Sequence, residues 1–188
     1  MISAAIQHTD VPSDAAAIAR LVARLSVGFV FLPSAVAKLA HLRSFIAGVH
    51  DYRILPRRAA KWAGVAIPLV ELVLAAALIS GSELALAGYL TGALLVAFTL
   101  AIVINIRRHR TIPCNCGGIA GNRPIGWGSV ARNGLLLVLL VPAAAAGGRT
   151  AAPGSISASV LVAVLTVGCV AVVSLAEWAV ESMLDAHS

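Results

Sequence analysis

The chain has 188 residues, of which 60% are hydrophobic and only 12% charged, with 14 Lys and Arg against 8 Asp and Glu. A soluble domain needs about a quarter of its residues charged to cover its surface, so this composition, with a mean hydropathy of +0.94, excludes a soluble fold. The net charge of +6 sits between apolar blocks, where it serves topology and contacts anionic lipid headgroups; a nucleic-acid partner is not expected.

Residues 1–17 lack a basic stretch followed by an apolar run and are expected to form a short, mostly polar tail. A helix needs about 20 apolar residues to cross a hydrocarbon core about 30 Å thick. Five segments meet or approach that length, at roughly 18–40, 60–80, 84–106, 129–146 and 156–178. The fourth is the shortest and runs into Pro142 and the alanines 143–146. The expected architecture is all-α and polytopic. Residues 18–146 form a four-helix membrane bundle, and 147–188 supply a fifth transmembrane helix and a short tail.

The connections differ in character. Gly81-Ser82-Glu83 predicts a tight turn and an antiparallel hairpin. The stretch 41–59 mixes basic and apolar residues and reads as an interfacial element with Phe45, Ile46, Val49 and Tyr52 towards lipid. The stretch 107–128 is glycine-rich and holds Pro113 and Pro124, so it is not a regular helix throughout. With these helices, the first and third connections share one face with the C-terminus. Of the 14 Lys and Arg, 11 fall at or near that face, and only Arg20, Arg24 and Arg149 fall on the other. The positive-inside rule places the 107–128 loop in the cytoplasm.

That loop carries the most conspicuous chemistry, Cys114-Asn115-Cys116 followed by Gly117-Gly118. Two cysteines one residue apart form a disulfide only if the backbone bends, and the neighbouring glycines and Pro113 supply unusual backbone angles. A strained disulfide is easily reduced, which suits thiol–disulfide exchange. Arg107, Arg108, Arg110 and Arg123 favour the thiolate. Two other readings stay open. One is half of a soft-metal site, for instance copper(I) with His109, although a lone C-x-C lacks the spacing of a structural zinc site. The other is a pair of inert thiols on an accessory subunit. Cys169, within the last apolar segment, is expected to be a small packing residue.

Glu71 stands in the middle of the second segment, where an ionised carboxylate usually faces a partner or a polar cavity. Measured from the loop-bearing face by helix rise, Glu71 lies about 17 Å deep, Arg24 about 24 Å and Lys38 about 3 Å. Arg24 is therefore the expected partner, with Lys38 snorkelling to the surface. The alternative for Glu71 is a proton or quinone site connected to the thiols. Trp127 fits an interfacial anchor at the entry to the fourth segment. Arg132 and Asn133 either bind headgroups or fold back onto the Cys loop. No internal repeat of the kind found in transporters is evident.

Taken together, Arg24 and Lys38, Tyr52 with Leu55-Pro56, Glu71, Cys114-Asn115-Cys116-Gly117-Gly118, Ile125-Gly126-Trp127 and Arg132-Asn133 resemble the MauE branch of the MauE/DoxX redox-associated membrane proteins. The resemblance runs over about residues 20–140; at Gly117 or Gly118 the chain departs from a Phe that the family often carries. It implies a four-helix membrane core, to which the fifth helix is an addition. It also implies a role in forming or maintaining disulfides in a periplasmic enzyme, beside a thioredoxin-like partner. That role wants the cysteines outside the cytoplasm, against the charge count. An inward-facing thiol pair passes electrons across the membrane only with a deeper redox partner such as a quinone.

Overall fold

The computed structural model describes residues 11–81, 84–110, 125–144 and 156–185. Six helices account for nearly all of them, and no strand is present among the described residues. They are α1 (Val11–Ala40), α2 (Leu42–Asp51), α3 (Arg57–Ser80), α4 (Leu84–Arg107), α5 (Trp127–Ala144) and α6 (Ile156–Asp185). Among the described residues, four spans are long and apolar enough to cross a membrane: Ala17–Ala40, Arg57–Ser80, Ala85–Arg107 and Val160–Val180. The fifth, Trp127–Val141 within α5, is shorter. The protein is an all-α, polytopic membrane protein.

Its surface agrees with that environment. Trp62, Val73, Tyr89, Val138, Val141 and Val167 are all exposed, so the outer faces of the long helices present apolar side chains to lipid. The core is made where the helices face one another. Val27 and Phe31 of α1, Leu74 and Leu78 of α3, Leu95 of α4, Leu136 and Leu140 of α5 and Val173 of α6 form one cluster. Small residues set the closest approaches. A side chain at Gly28 would collide with Ile79, and one at Gly64 would collide with Ile46.

The α3–α4 hairpin turns at Gly81, which adopts φ +78° as the C-cap of α3. That left-handed conformation suits glycine, and the Arg24 guanidinium occupies the space a Cβ would need. Arg24 thus lies beside the C-terminal end of α3, where the carbonyl dipoles favour a cation. Helices α1 and α6 run parallel: Leu21 and Val22 pack with Val162, and Leu25 and Cys169 flank the same cluster. Cys169 is a free thiol among these apolar side chains, in the packing role expected of it.

Helix α2 corrects the expectation that residues 45–52 face lipid. Phe45 is buried, Ile46 packs against Gly64 of α3, and Val49 and Tyr52 line an internal cavity. The reason is geometric. Helix α3 begins beyond the end of α1 and leaves its first turns without a partner there. The apolar face of α2 covers them, and its polar side, with exposed Arg43 and Ser44, turns outward.

Candidate functional site

Lys38, in the last turn of α1, and Glu71, in the middle of α3, form a buried ion pair. Nζ lies 2.5 Å from Oε1 and 2.6 Å from Oε2 of Glu71, with both side chains at most 3% exposed. The third ammonium proton goes to Ser34 Oγ, one helical turn earlier, at 2.9 Å, which uses all three donors of the lysine. The rings of Phe45 and Phe98 lie 5.6 and 5.2 Å from Nζ and present their negative faces to the cation. A charge that is paired, hydrogen-bonded and stacked in this way is the form in which lysine tolerates burial.

This pairing corrects the expected match of Glu71 with Arg24. Depths counted from each helix's own end assume that the ends are level, and they are not. Gly28 packs against Ala75 and Ile79, and Arg24 against Gly81. That register puts Lys38 only about four residues, roughly 6 Å, nearer the loop-bearing face than Glu71. Side chains lean towards the N-terminus of their helix. Lys38 on α1 therefore leans inward, and Glu71 on the antiparallel α3 leans to meet it. Arg24, on the same helix as Lys38, leans the same way, which takes it away from Glu71 and towards the turn at Gly81.

A second pair follows beside the first. Arg132 on α5 bridges Glu177 on α6 at 3.3 Å, and Ser129 Oγ donates to the same carboxylate at 3.2 Å. Arg132 also donates to Asn133 Oδ1 at 3.4 Å, and Asn133 Nδ2 to Thr99 Oγ1 on α4 at 3.2 Å. Thr99 completes the chain by donating to the Leu95 carbonyl at 2.7 Å. Arg132 is close enough to interact electrostatically with both Lys38 and Glu71, so the four charges form one network drawn from α1, α3, α5 and α6. Arg132 and Asn133 hold helices together here; they are not spread among headgroups.

The network borders a cavity of about 610 Å³ walled mainly by apolar and aromatic side chains, with Lys38, Glu71, Arg132, Asn133 and Glu177 among its lining. Tyr52 also lines it, and burial pushes its phenol up to about 12, so the hydroxyl stays neutral over the physiological range. The chain passes beside Tyr52 on both sides of the Cys loop. Arg110 donates to the Asp51 carbonyl at 3.3 Å, and Ile125 packs with Ile102, Tyr52 and Val130.

The remaining sequence-derived residues fall elsewhere. Cys114, Cys116, Gly117, Gly118 and Arg123 lie outside the described residues. His109 is exposed in a left-handed conformation just beyond α4. Trp127 is half exposed at the first residue of α5, where an interfacial anchor belongs. Glu177 and Thr99 were not singled out from the sequence. Glu177 closes an otherwise uncharged apolar run at a depth similar to Arg132, and that complementarity was the available signal. Thr99 has no counterpart signal, because a threonine in a membrane helix commonly bonds its own backbone.

The family described as "Methylamine utilisation protein MauE" matches residues 16–148, a stretch that contains Lys38, Glu71, Cys114, Cys116 and Arg132 and ends before Glu177. Among curated proteins, the chain is 33% identical over 135 residues to the methylamine utilization protein MauE of Paracoccus denitrificans, covering 71% of this chain and 72% of that protein. It is 36% identical over 140 residues to the protein of the same name from Paracoccus versutus, covering 70% and 75%. The corresponding Methylorubrum extorquens protein is 32% identical over 122 residues, covering 61% and 66%. No solved structure gives a significant match. The matched stretch takes in most of the helical bundle and three of the four charges of the network, and the chain belongs to the MauE family.

Proposed function

We propose that this protein is a thiol–disulfide redox component of a methylamine-utilisation system in the plasma membrane. In this reading Cys114 and Cys116 exchange electrons or disulfides with a thioredoxin-like or other protein partner. The relatives it resembles carry methylamine utilization in their names, and the Cys-Asn-Cys-Gly-Gly motif is the only vicinal-type thiol pair in the chain. The observation that supports the reading is where the flanks of the motif sit: Arg110, before it in the chain, donates to the Asp51 carbonyl, and Ile125, after it, packs with Tyr52, which lines the cavity bordering the Lys38–Glu71 network.

The exchange is a two-electron step. One thiolate attacks the partner's disulfide, forming a mixed disulfide and releasing one partner thiol. The second thiolate then displaces the partner's remaining sulfur. The Cys114–Cys116 disulfide is left on this protein and a dithiol on the partner, and the reverse sequence delivers a disulfide. Arg107, Arg108, Arg110 and Arg123 near the motif lower the cost of the attacking thiolate. The Lys38–Glu71 and Arg132–Glu177 pairs organise the bundle beneath. The charge distribution favours a cytoplasmic position for the loop.

The test is a strain that depends on the protein for methylamine growth, complemented with wild type, each Cys→Ser variant and the double variant. Trapping by alkylation should reveal a mixed disulfide in the single variant that retains the attacking thiol. Full complementation by the double Cys→Ser variant overturns the redox reading in favour of a non-catalytic accessory subunit. Metal that copurifies with wild type but not with the double variant favours soft-metal handling.

A further inference from the structure

We infer that the intramembrane cavity is a binding site for the headgroup of a membrane-dissolved quinone, entered sideways from the lipid. Its walls include Phe29 of α1 and Trp178 of α6, which are 46% and 56% exposed and lie within the spans Ala17–Ala40 and Val160–Val180. At Phe29, in the middle of its span, the cavity therefore reaches the outer surface at a level occupied by hydrocarbon, and Trp178 borders it nearer the loop-bearing end. A ligand using that route arrives dissolved in the bilayer. The volume of about 610 Å³ falls within the range of small-molecule sites.

Charge sets the next constraint. Among its described lining residues the cavity has two cations, Lys38 and Arg132, and two carboxylates, Glu71 and Glu177, already joined in pairs. A phosphate or carboxylate headgroup would have to break a buried pair to find a cation, leaving an uncompensated charge at a cost of several kcal/mol. A neutral headgroup avoids this. The walls then favour a flat one: Phe29, Phe31, Phe45, Phe98 and Trp178 supply ring faces and edges for stacking. Arg132 contributes an unused donor, since its Nε is buried without a hydrogen-bond partner and would meet a ring oxygen once its side chain turned towards the cavity it lines. The acceptors for a ring hydroxyl are the carboxylates of Glu71 and Glu177, which line the cavity and keep lone pairs beyond those their cations use.

A neutral, planar ring that both accepts and donates through its oxygens, and that travels in lipid, is a quinone–quinol headgroup. The choice of quinone among neutral ring amphiphiles rests on the thiol–disulfide reading, because a dithiol protein needs a two-electron partner. Occupancy of the cavity is tested without the thiols.

The experiment is titration of the purified full-length protein in lipid nanodiscs with decylubiquinone, read by tryptophan fluorescence and by native mass spectrometry. Saturable one-to-one binding is expected for wild type and equally for the Cys114→Ser/Cys116→Ser variant. Trp178→Leu, a change at the exposed mouth, should weaken binding about threefold to tenfold, the loss of one aromatic stacking contact; mass spectrometry reads this variant. Ala101→Phe, which fills the cavity from α4, should abolish it, whereas Ala76→Phe on the exposed side of α3 should leave it unchanged. Non-saturable uptake, or binding equally strong in Ala101→Phe, overturns the site. Retention of phospholipid that decylubiquinone does not displace also overturns it. Loss of thiol redox activity with binding intact bears on the redox reading alone.

Discussion

Lys38 and Glu71 are separated by 33 positions in the chain and by a helix that lies between α1 and α3, yet Nζ meets both carboxylate oxygens. The contact exists because the two side chains lean towards each other from antiparallel helices. It fixes the axial register of α1 against α3 more sharply than the apolar contacts can, since sliding either helix by one turn would strand a charge in a medium that cannot solvate it.

Removing one member of that pair should therefore cost more than removing both. Lys38→Met alone or Glu71→Leu alone is expected to destabilise the protein by about 3–5 kcal/mol, and the double substitution to recover most of that. Thermal unfolding in detergent of the full double-mutant cycle measures the coupling. The Arg24→Met/Glu71→Leu cycle should be additive within about 0.5 kcal/mol; strong coupling there would restore the partner that helix depth alone suggests.

Gly81 should resist substitution for two reasons at once. Gly81→Ala forces an L side chain into the left-handed region, about 1–2 kcal/mol, and displaces the Arg24 guanidinium that fills the space. Combining it with Arg24→Ala should relieve the second part and not the first. Stability measured for the two single variants and the combination separates them. A Gly81→Ala protein as stable as wild type would contradict the close approach.

The Cys114–Cys116 pair should oxidise reversibly, with a potential above roughly −300 mV, the region of stable structural disulfides. Redox titration followed by alkylation and mass measurement gives the value. A bond that survives millimolar thiol reductants would contradict the expectation.

Orientation is decided by a reporter fused after Ser188. Because 11 of 14 basic residues cluster at the face shared by the loop and the C-terminus, a cytoplasm-dependent reporter should be active there and a periplasm-dependent one silent. The reverse pattern would place the thiols outside, as the family resemblance implies.

Much of this fold is legible in the residues. The long apolar runs between basic clusters set most helix ends to within a few positions, although α1 starts and α6 ends seven residues beyond them, and the rarity of charge inside the apolar runs singles out Glu71. What the charges do is less legible. Pairing depends on the relative register of helices and on the direction of each side chain, and neither follows from counting residues to a helix end. Residues Phe45 and Tyr52 illustrate the same limit. An amphipathic stretch at a membrane interface has an apolar face, but only the overhang of α3 beyond α1 determines that this face meets protein. Glu177 was hidden by its position at the edge of an apolar run, where a carboxylate looks like the beginning of a solvated tail.

The tie between Arg132 and Glu177 has a consequence for biogenesis. Helices enter the membrane in chain order, so Lys38 can find Glu71 once α3 is in place, two helices into the process. Arg132 enters with α5 and has no carboxylate partner of its own until α6 follows. The nascent bundle must hold that guanidinium in a temporary arrangement, with Asn133 or nearby water, until the last span arrives. A chain truncated after residue 150 should accordingly be recognised as unfinished by membrane quality control and degraded. The Arg132→Leu change should lengthen the half-life of the truncated chain while leaving the full-length protein without its α5–α6 clasp.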